Sequence, residues 1–270
     1  MATPAWKALE PVEQTMLIPL LARAWGHRWN LDPQQPDESA QDALNQLGWN
    51  DTAWLPDPVT LSCILWRTRQ FREWGQAYYS HHPHAWGVNL GAGLSDYFQW
   101  LSNGTNRWID ADLDCVMRLR SRCVPTRPHA AGMSLDVCAQ DWWERIARQI
   151  GAQTGPGWIM LEGVLLYLPP DHVHRLLATV AQRAPAGSCL AFDLIPHWMV
   201  GWPIRMPMGG AQCAAFQWGV ESLAELEAVD RRLHLERVAS CVTPGWTWPW
   251  GTPPGWNPLS PYTLVQMSVS

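Results

Sequence analysis

The chain has 270 residues, a formal net charge of −5 and only 16% charged side chains, against 47% hydrophobic ones. That balance supplies a substantial core and argues against a general nucleic-acid binder. No apolar run approaches the roughly eighteen residues of a membrane span, and the N-terminus MATPAWKALE lacks the apolar centre of a signal peptide. Seven scattered cysteines without a CxxC pair read as reduced thiols, so a cytoplasmic protein is expected. The 20 tryptophans, against 4 phenylalanines and 5 tyrosines, either fill the core or line a pocket for a flat, greasy substrate.

Residues 10–29 read as a helix in which Met16, Leu17, Leu20, Leu21 and Ala24 form an apolar stripe. Pro19 is expected to kink it and Gly26 to end it. Residues 30–58 are rich in proline and acid, with one helical piece at 39–47 and a turn at 56–58. A longer helix fits 59–79, carrying Leu61, Ile64, Leu65, Thr68, Phe71 and Trp74 along one side.

From Trp86 to Asp112 the chain reads WGVNLGAGLSDYFQWLSNGTNRWIDAD, the pattern of strand, glycine turn, short helix, strand. Gly91 and Gly93 allow a tight turn and close approach of a ligand. Asp112 ends the second strand nineteen residues after Gly93, the arrangement that places an acid on ribose hydroxyls. The third glycine of a dinucleotide fingerprint is missing, with bulky residues around Phe98, so the expected ligand has a ribose but no pyrophosphate.

Beyond it the chain alternates helix at 113–120, strand at 131–135, helix at 141–150, strand at 157–161, helix at 170–184 and strand at 189–195. This rhythm predicts a largely parallel sheet covered on both faces. Residues 196–220 and the proline- and tryptophan-rich 243–260 have no clean period and read as lid-like segments. They flank a helix at 221–229 and a strand at 233–241, and an alternating strand over 261–269 closes the chain. Residues 1–80 are expected to form a helical cap over the active site, and 81–270 the core, in one compact domain.

Ligands of an open parallel sheet sit beyond the carboxyl ends of its strands. The glycine turn, Asp112, residues 133–136 and Glu162 all follow predicted strands, so the fold should gather them on one edge. One acid after a strand is often only a helix cap; four such places together point to a site. Two metal-like patterns are set aside. His81-His82-Pro83-His84 precedes the first strand, at the opposite edge, and Asp110-Ala111-Asp112 is better explained by ribose.

Seven pieces carry a resemblance: EQTMLIPLLARA (13–24), WRTRQF (66–71), VNLGAGL (88–94), WIDADLD (108–114), LEGVLLYLPP (161–170), LAFDLI (190–195) and FQWGVESLAEL (216–226). The chain resembles the leucine carboxyl methyltransferase superfamily, in its bacterial branch of tetracenomycin-type polyketide O-methyltransferases. The resemblance implies a Rossmann-like, seven-stranded class I α/β fold and S-adenosylmethionine as cofactor, a ligand with a ribose and no phosphate. It implies that Arg67, rather than its rival Arg69, meets the methionine carboxylate. Gly91 and Gly93 would lie against methionine and ribose, and Asp112 would take the ribose hydroxyls. Ser134 and Leu135 would flank the adenine, and Glu162 the ammonium.

Relatives continue Asp-Thr-Arg and then another Arg after GAGL, where this chain has Ser95-Asp96-Tyr97 and Trp100; that departure bears on the substrate. Tyr167 is the candidate to face the acceptor and His197 the candidate base. The expected reaction is methyl transfer to an oxygen of a small aromatic or polyketide-like molecule. A protein carboxyl terminus, a thiol acceptor and a non-catalytic binding module are the alternatives. Monomer and homodimer are both left open.

Overall fold

The computed structural model describes residues 10–26, 37–49, 57–151, 155–204, 214–241 and 262–270. Four helices come first: α1 (Pro11–Gln14), α2 (Leu17–Trp25), α3 (Glu38–Gln46) and α4 (Pro58–His81). The predicted single helix over 10–29 is two, and the break falls at Thr15-Met16 rather than at Pro19. A proline lacks the N–H that would bond to the carbonyl four residues back, and its ring crowds that carbonyl. For Pro19 that carbonyl belongs to Thr15. Caps set the other starts. Asp37 accepts from Ala40 N to open α3, and Asp57 accepts from Val59 N and Thr60 N to open α4. Asp37 also pairs with Arg23 at 3.2 Å, joining α2 to α3 inside the protein.

The alternating part follows as β1 (Trp86–Leu90), α5 (Phe98–Leu101), β2 (Trp108–Asp112), α6 (Asp114–Cys123), β3 (Ala130–Ser134), α7 (Trp142–Ile150), β4 (Gly157–Leu161), α8 (Pro170–Arg183) and β5 (Cys189–Leu194). A short α9 (Ala224–Glu227) leads to β6 (Leu233–Ser240) and β7 (Thr263–Val269). The seven strands form one sheet in the order β3-β2-β1-β4-β5-β7-β6. The first five are parallel, and β7 runs antiparallel between β5 and β6.

The central strands β1, β4 and β5 are buried along their whole length, because helices cover both sides. Alternation still sorts their side chains. Val88, Ile109, Ile159 and Leu161 pack with Ile146, Val173 and Leu177 of α7 and α8. Trp108, Trp158 and Met160 point the other way, onto Phe71, Trp74 and Tyr78 of α4 and Phe98 and Leu101 of α5. Trp108 and Trp158 are among the largest fully buried side chains, and Trp86, Trp142 and Trp143 are buried with them. Much of the tryptophan excess is therefore core. Phe98 stacks on Trp108 with ring centroids 5.7 Å apart, so the bulk where a third glycine would stand is itself packing.

β1 pairs with β2 on one side and β4 on the other, in each case in parallel. The connections leave β1 in opposite directions at this point, and the crevice beyond its carboxyl end stays open. No helix among the described residues is long and apolar enough to cross a membrane.

Candidate cofactor and substrate site

The crevice holds a cavity of about 420 Å³, within the range of small-molecule sites. Its floor is the turn after β1. Gly91 has φ +72° and Gly93 φ +50°, the left-handed region that glycine enters freely. Gly91 N and Ala92 N both donate to Ala111 O, at 2.8 and 3.1 Å, which stitches the turn to the end of β2. A Cβ on Gly91 would lie 2.3 Å from Val164 Cγ2. Gly91→Ala is therefore expected to destabilise the protein by roughly 2–4 kcal/mol, strain and clash combined, as a lowered midpoint in urea. An unchanged midpoint would show that the turn tolerates a side chain.

Asp112 closes the floor. Its Oδ2 accepts from Gly93 N and its Oδ1 from Leu113 N, both at 2.7 Å. Burial pushes its carboxyl above the ordinary value, against the opposing pull of those two N–H groups. Asp110, two residues earlier on the same face of β2, has partners of its own. It accepts from Trp108 Nε1 at 2.9 Å and from Arg120 Nη2 at 2.7 Å. The two acids therefore serve different partners. Arg120 also donates Nη1 to Gly93 O and Ser95 O, at 3.0 and 2.6 Å, and braces the glycine turn from beneath.

The third strand contributes its end. Leu135 N donates to Asp112 O at 2.7 Å, and Leu135 and Asp136 line the cavity. Ser134 does not: its hydroxyl turns to Asp114 Oδ1 at 3.1 Å. The predicted pair thus narrows to Leu135, with Asp136 beside it.

The opposite wall is a buried ionic cluster. Arg67 of α4 donates Nε to Glu162 Oε1 at 2.8 Å and Nη1 to Asp193 Oδ2 at 3.1 Å, and also bonds the Tyr262 hydroxyl. Tyr262 in turn donates to Asp193, whose other oxygen takes Gly163 N at 2.6 Å. Asp193 is fully buried, and burial raises its carboxyl pKa even though the Arg67 charge opposes the rise. Two carboxylates against one guanidinium leave the cluster one negative charge in excess. Arg69, by contrast, is only partly buried and stands 3.9 Å from Glu73, a surface pair of small worth.

Above the floor, Met16, Ile18 and Pro19 of the first helices, Ile64 of α4, and Met199, Ile204 and Phe216 make an apolar roof. Tyr167 joins them, its ring 5.9 Å from that of Phe216. Burial pushes its phenol up to about 12, against a hydrogen bond with Thr15. His197 lies on an exposed 3-10 turn outside the cavity lining, and so does not meet the role of base. The described lining contains no tryptophan. The loop 243–260 falls outside the described residues, as does 205–213 within the predicted lid 196–220. Of the departure from the relatives, only Ser95 reaches the cavity. Asp96 is buried in a bidentate pair with Arg127, and Tyr97 is buried between Phe71 and Trp100. Those two side chains lie outside the cavity lining.

Asp193, Tyr262 and Arg120 escaped the reading of the sequence. Asp193 had a signal: a carboxylate inside the apolar run LAFDLI must meet a cation if buried. Arg120 is one of three arginines in DCVMRLRSRC and looks like surface charge.

A seven-stranded sheet in this order, with a glycine turn after β1 and an acid at the end of β2, defines the class I methyltransferase architecture. The chain belongs to the leucine carboxyl methyltransferase family, whose model matches residues 9–181, and is an S-adenosylmethionine-dependent methyltransferase. It is 27% identical over 226 residues to the tetracenomycin polyketide synthesis O-methyltransferase TcmP of Streptomyces glaucescens, covering 82% of this chain and 79% of that one. Solved structures share the fold. A candidate methyltransferase of Thermobifida fusca superposes with TM-score 0.58 at 16% identity, covering 94% of each chain. Magnesium protoporphyrin IX methyltransferase of Synechocystis PCC 6803, solved with bound SAH, gives 0.50 at 11% identity, covering 95% of this chain and all of that one.

Proposed function

We propose that the enzyme moves the methyl group of S-adenosylmethionine to an oxygen, phenolic or carboxylic, of a small aromatic or polyketide-like acceptor. The observation that carries this is the join of two unlike walls in one cavity: Asp112 beside the glycine turn, and the Arg67–Glu162 cluster under an apolar roof. The donor set fits the cofactor piece by piece. Asp112 has lone pairs beyond its two backbone bonds for the ribose diol, and Leu113, Val116, Leu135 and Val137 offer an apolar slot for adenine. The excess negative charge of the cluster suits the ammonium, and Arg67 Nη2, which takes no part in the bonds above, suits the methionine carboxylate.

The sulfonium supplies an activated methyl group. The chain's own contribution is to hold donor and acceptor in line and keep water out, an effect worth about 7–11 kcal/mol for ideal orientation. The described lining includes no histidine, and Tyr167 at about 12 is a poor base near neutral pH. An acceptor that arrives as an anion suits such a cavity. Helices before residue 80 act as the cap, since Met16, Ile18 and Ile64 roof the cavity. Met199, Ile204 and Phe216 support a lid role for 196–220.

Calorimetry with S-adenosylmethionine, followed by a screen of aromatic acids and phenols with labelled methyl donor, tests the assignment. Absence of cofactor binding by the wild type would reject it. Tyr167→Phe should lower kcat/KM for the acceptor about tenfold and leave cofactor Kd unchanged, the loss expected for one hydrogen bond to substrate. An unchanged kcat/KM would make Tyr167 a packing partner of Phe216.

A further inference from the structure

We propose that Cys63 and Cys241 are a modification site, forming a reversible disulfide that fastens α4 to the end of β6 beside the cavity. The two residues lie 178 positions apart, yet their sulfurs are in contact, with Sγ to Sγ 2.7 Å. Closing that contact to a covalent bond asks for a shift of under about 1 Å. Three of the other four described cysteines are placed differently. Cys115 is hydrogen bonded to Glu13, and Cys123 and Cys189 are buried in apolar clusters.

Access and chemistry agree with the geometry. Cys63 lines the cavity, and both thiols are only partly buried, so a small oxidant can reach the pair. The hydrogen bond with Cys63 lowers the thiol pKa of Cys241, while that same bond, followed by burial, raises Cys63. Cys241 is therefore the first nucleophile. With a small-molecule disulfide as oxidant, the Cys241 thiolate attacks one oxidant sulfur and expels the other half as thiolate. Cys63 gives up its proton and attacks Cys241 Sγ in the mixed disulfide, releasing the second half. Two thiols of the protein become one S–S bond, and one disulfide of the oxidant becomes two thiols.

The position gives the bond a consequence. Cys63 precedes Arg67 by four residues, one helical turn on the same face of α4. The link would hold that turn of the cap against the sheet edge and shorten the freedom of the unfolded chain over most of its length.

The test uses the full chain with glutathione disulfide, then alkylation of remaining thiols and peptide mass mapping. The expected product is a single linked pair, Cys63 with Cys241, reversed by dithiothreitol. Its formation should raise Tm by about 5–10 °C over the reduced protein. Cys63→Ser and Cys241→Ser should each abolish both the linked peptide and the shift; circular dichroism confirms that each is folded, with Cys→Ala as the replacement if one is not. Recovery of both cysteines as separate glutathione adducts, or as alkylated free thiols, would overturn the proposal. So would a link from either to another cysteine.

Discussion

Replacing Arg67 with alanine is expected to cost the fold about 3–5 kcal/mol, before any question of cofactor arises. Glu162 and Asp193 are both buried against its guanidinium, and removing the cation leaves two carboxylates without a counter-charge. The residue read from sequence as a cofactor contact is also the centre of the core's ionic cluster. Urea denaturation of Arg67→Ala at several pH values measures the effect. Asp193 already has a raised pKa in the folded wild type, and loss of Arg67 raises it further. A carboxyl with a raised folded-state pKa favours the fold when protonated and loses that contribution as pH rises through the raised value. The deficit of Arg67→Ala should therefore be largest at neutral pH and shrink as the solution is acidified. Arg67→Lys keeps the charge but not the fork that reaches Glu162 and Asp193 together, and should lie between. A variant as stable as the wild type at neutral pH would show that the cluster contributes nothing.

Asp112→Ala is the second large effect, and it falls on binding. Two charge-assisted bonds to a ribose diol, at about 1.5–3 kcal/mol each, correspond to a rise in cofactor Kd of roughly 100-fold or more. The substitution also strips Gly93 N and Leu113 N of their acceptor, so some stability goes with it. Asp112→Asn separates the two effects by keeping one acceptor oxygen. The pH dependence has a definite sign. Burial raises the Asp112 carboxyl, and only its ionised form accepts from both hydroxyls through charged oxygens. Affinity should thus fall as pH drops, beginning above the ordinary carboxylate range, and this limb should vanish in Asp112→Asn. Calorimetry across pH with both variants decides it; wild-type affinity in Asp112→Ala would remove Asp112 from the cofactor site.

Gly91, Gly93, Asp112 and Glu162 were legible because each stands at a fixed offset from a short apolar strand. The parallel sheet then carries all strand ends to one edge. Arg67 was legible only through resemblance, since a helix of mixed composition does not declare which arginine turns inward. Burial separates it from Arg69: one is buried against Glu162 and Asp193, the other only partly covered. His197 misled for the opposite reason. It follows a strand as Glu162 does, but β5 is succeeded by a turn that carries its side chain outward.

Periodicity, glycine and proline placement and strand-end acids determined the element order, the open edge and the nucleoside character of the ligand, because each acts within a few residues. Tertiary structure alone decided which charges are neutralised. Arg67 meets Asp193 across 126 residues and Tyr262 across 195, and Arg120 reaches back 27 residues to Gly93. It also decided that Trp108 and Trp158 belong to the core and that Asp96 and Tyr97 are buried outside the cavity lining. Burial sets the cost of an unpaired charge, and burial depends on every element that packs around it.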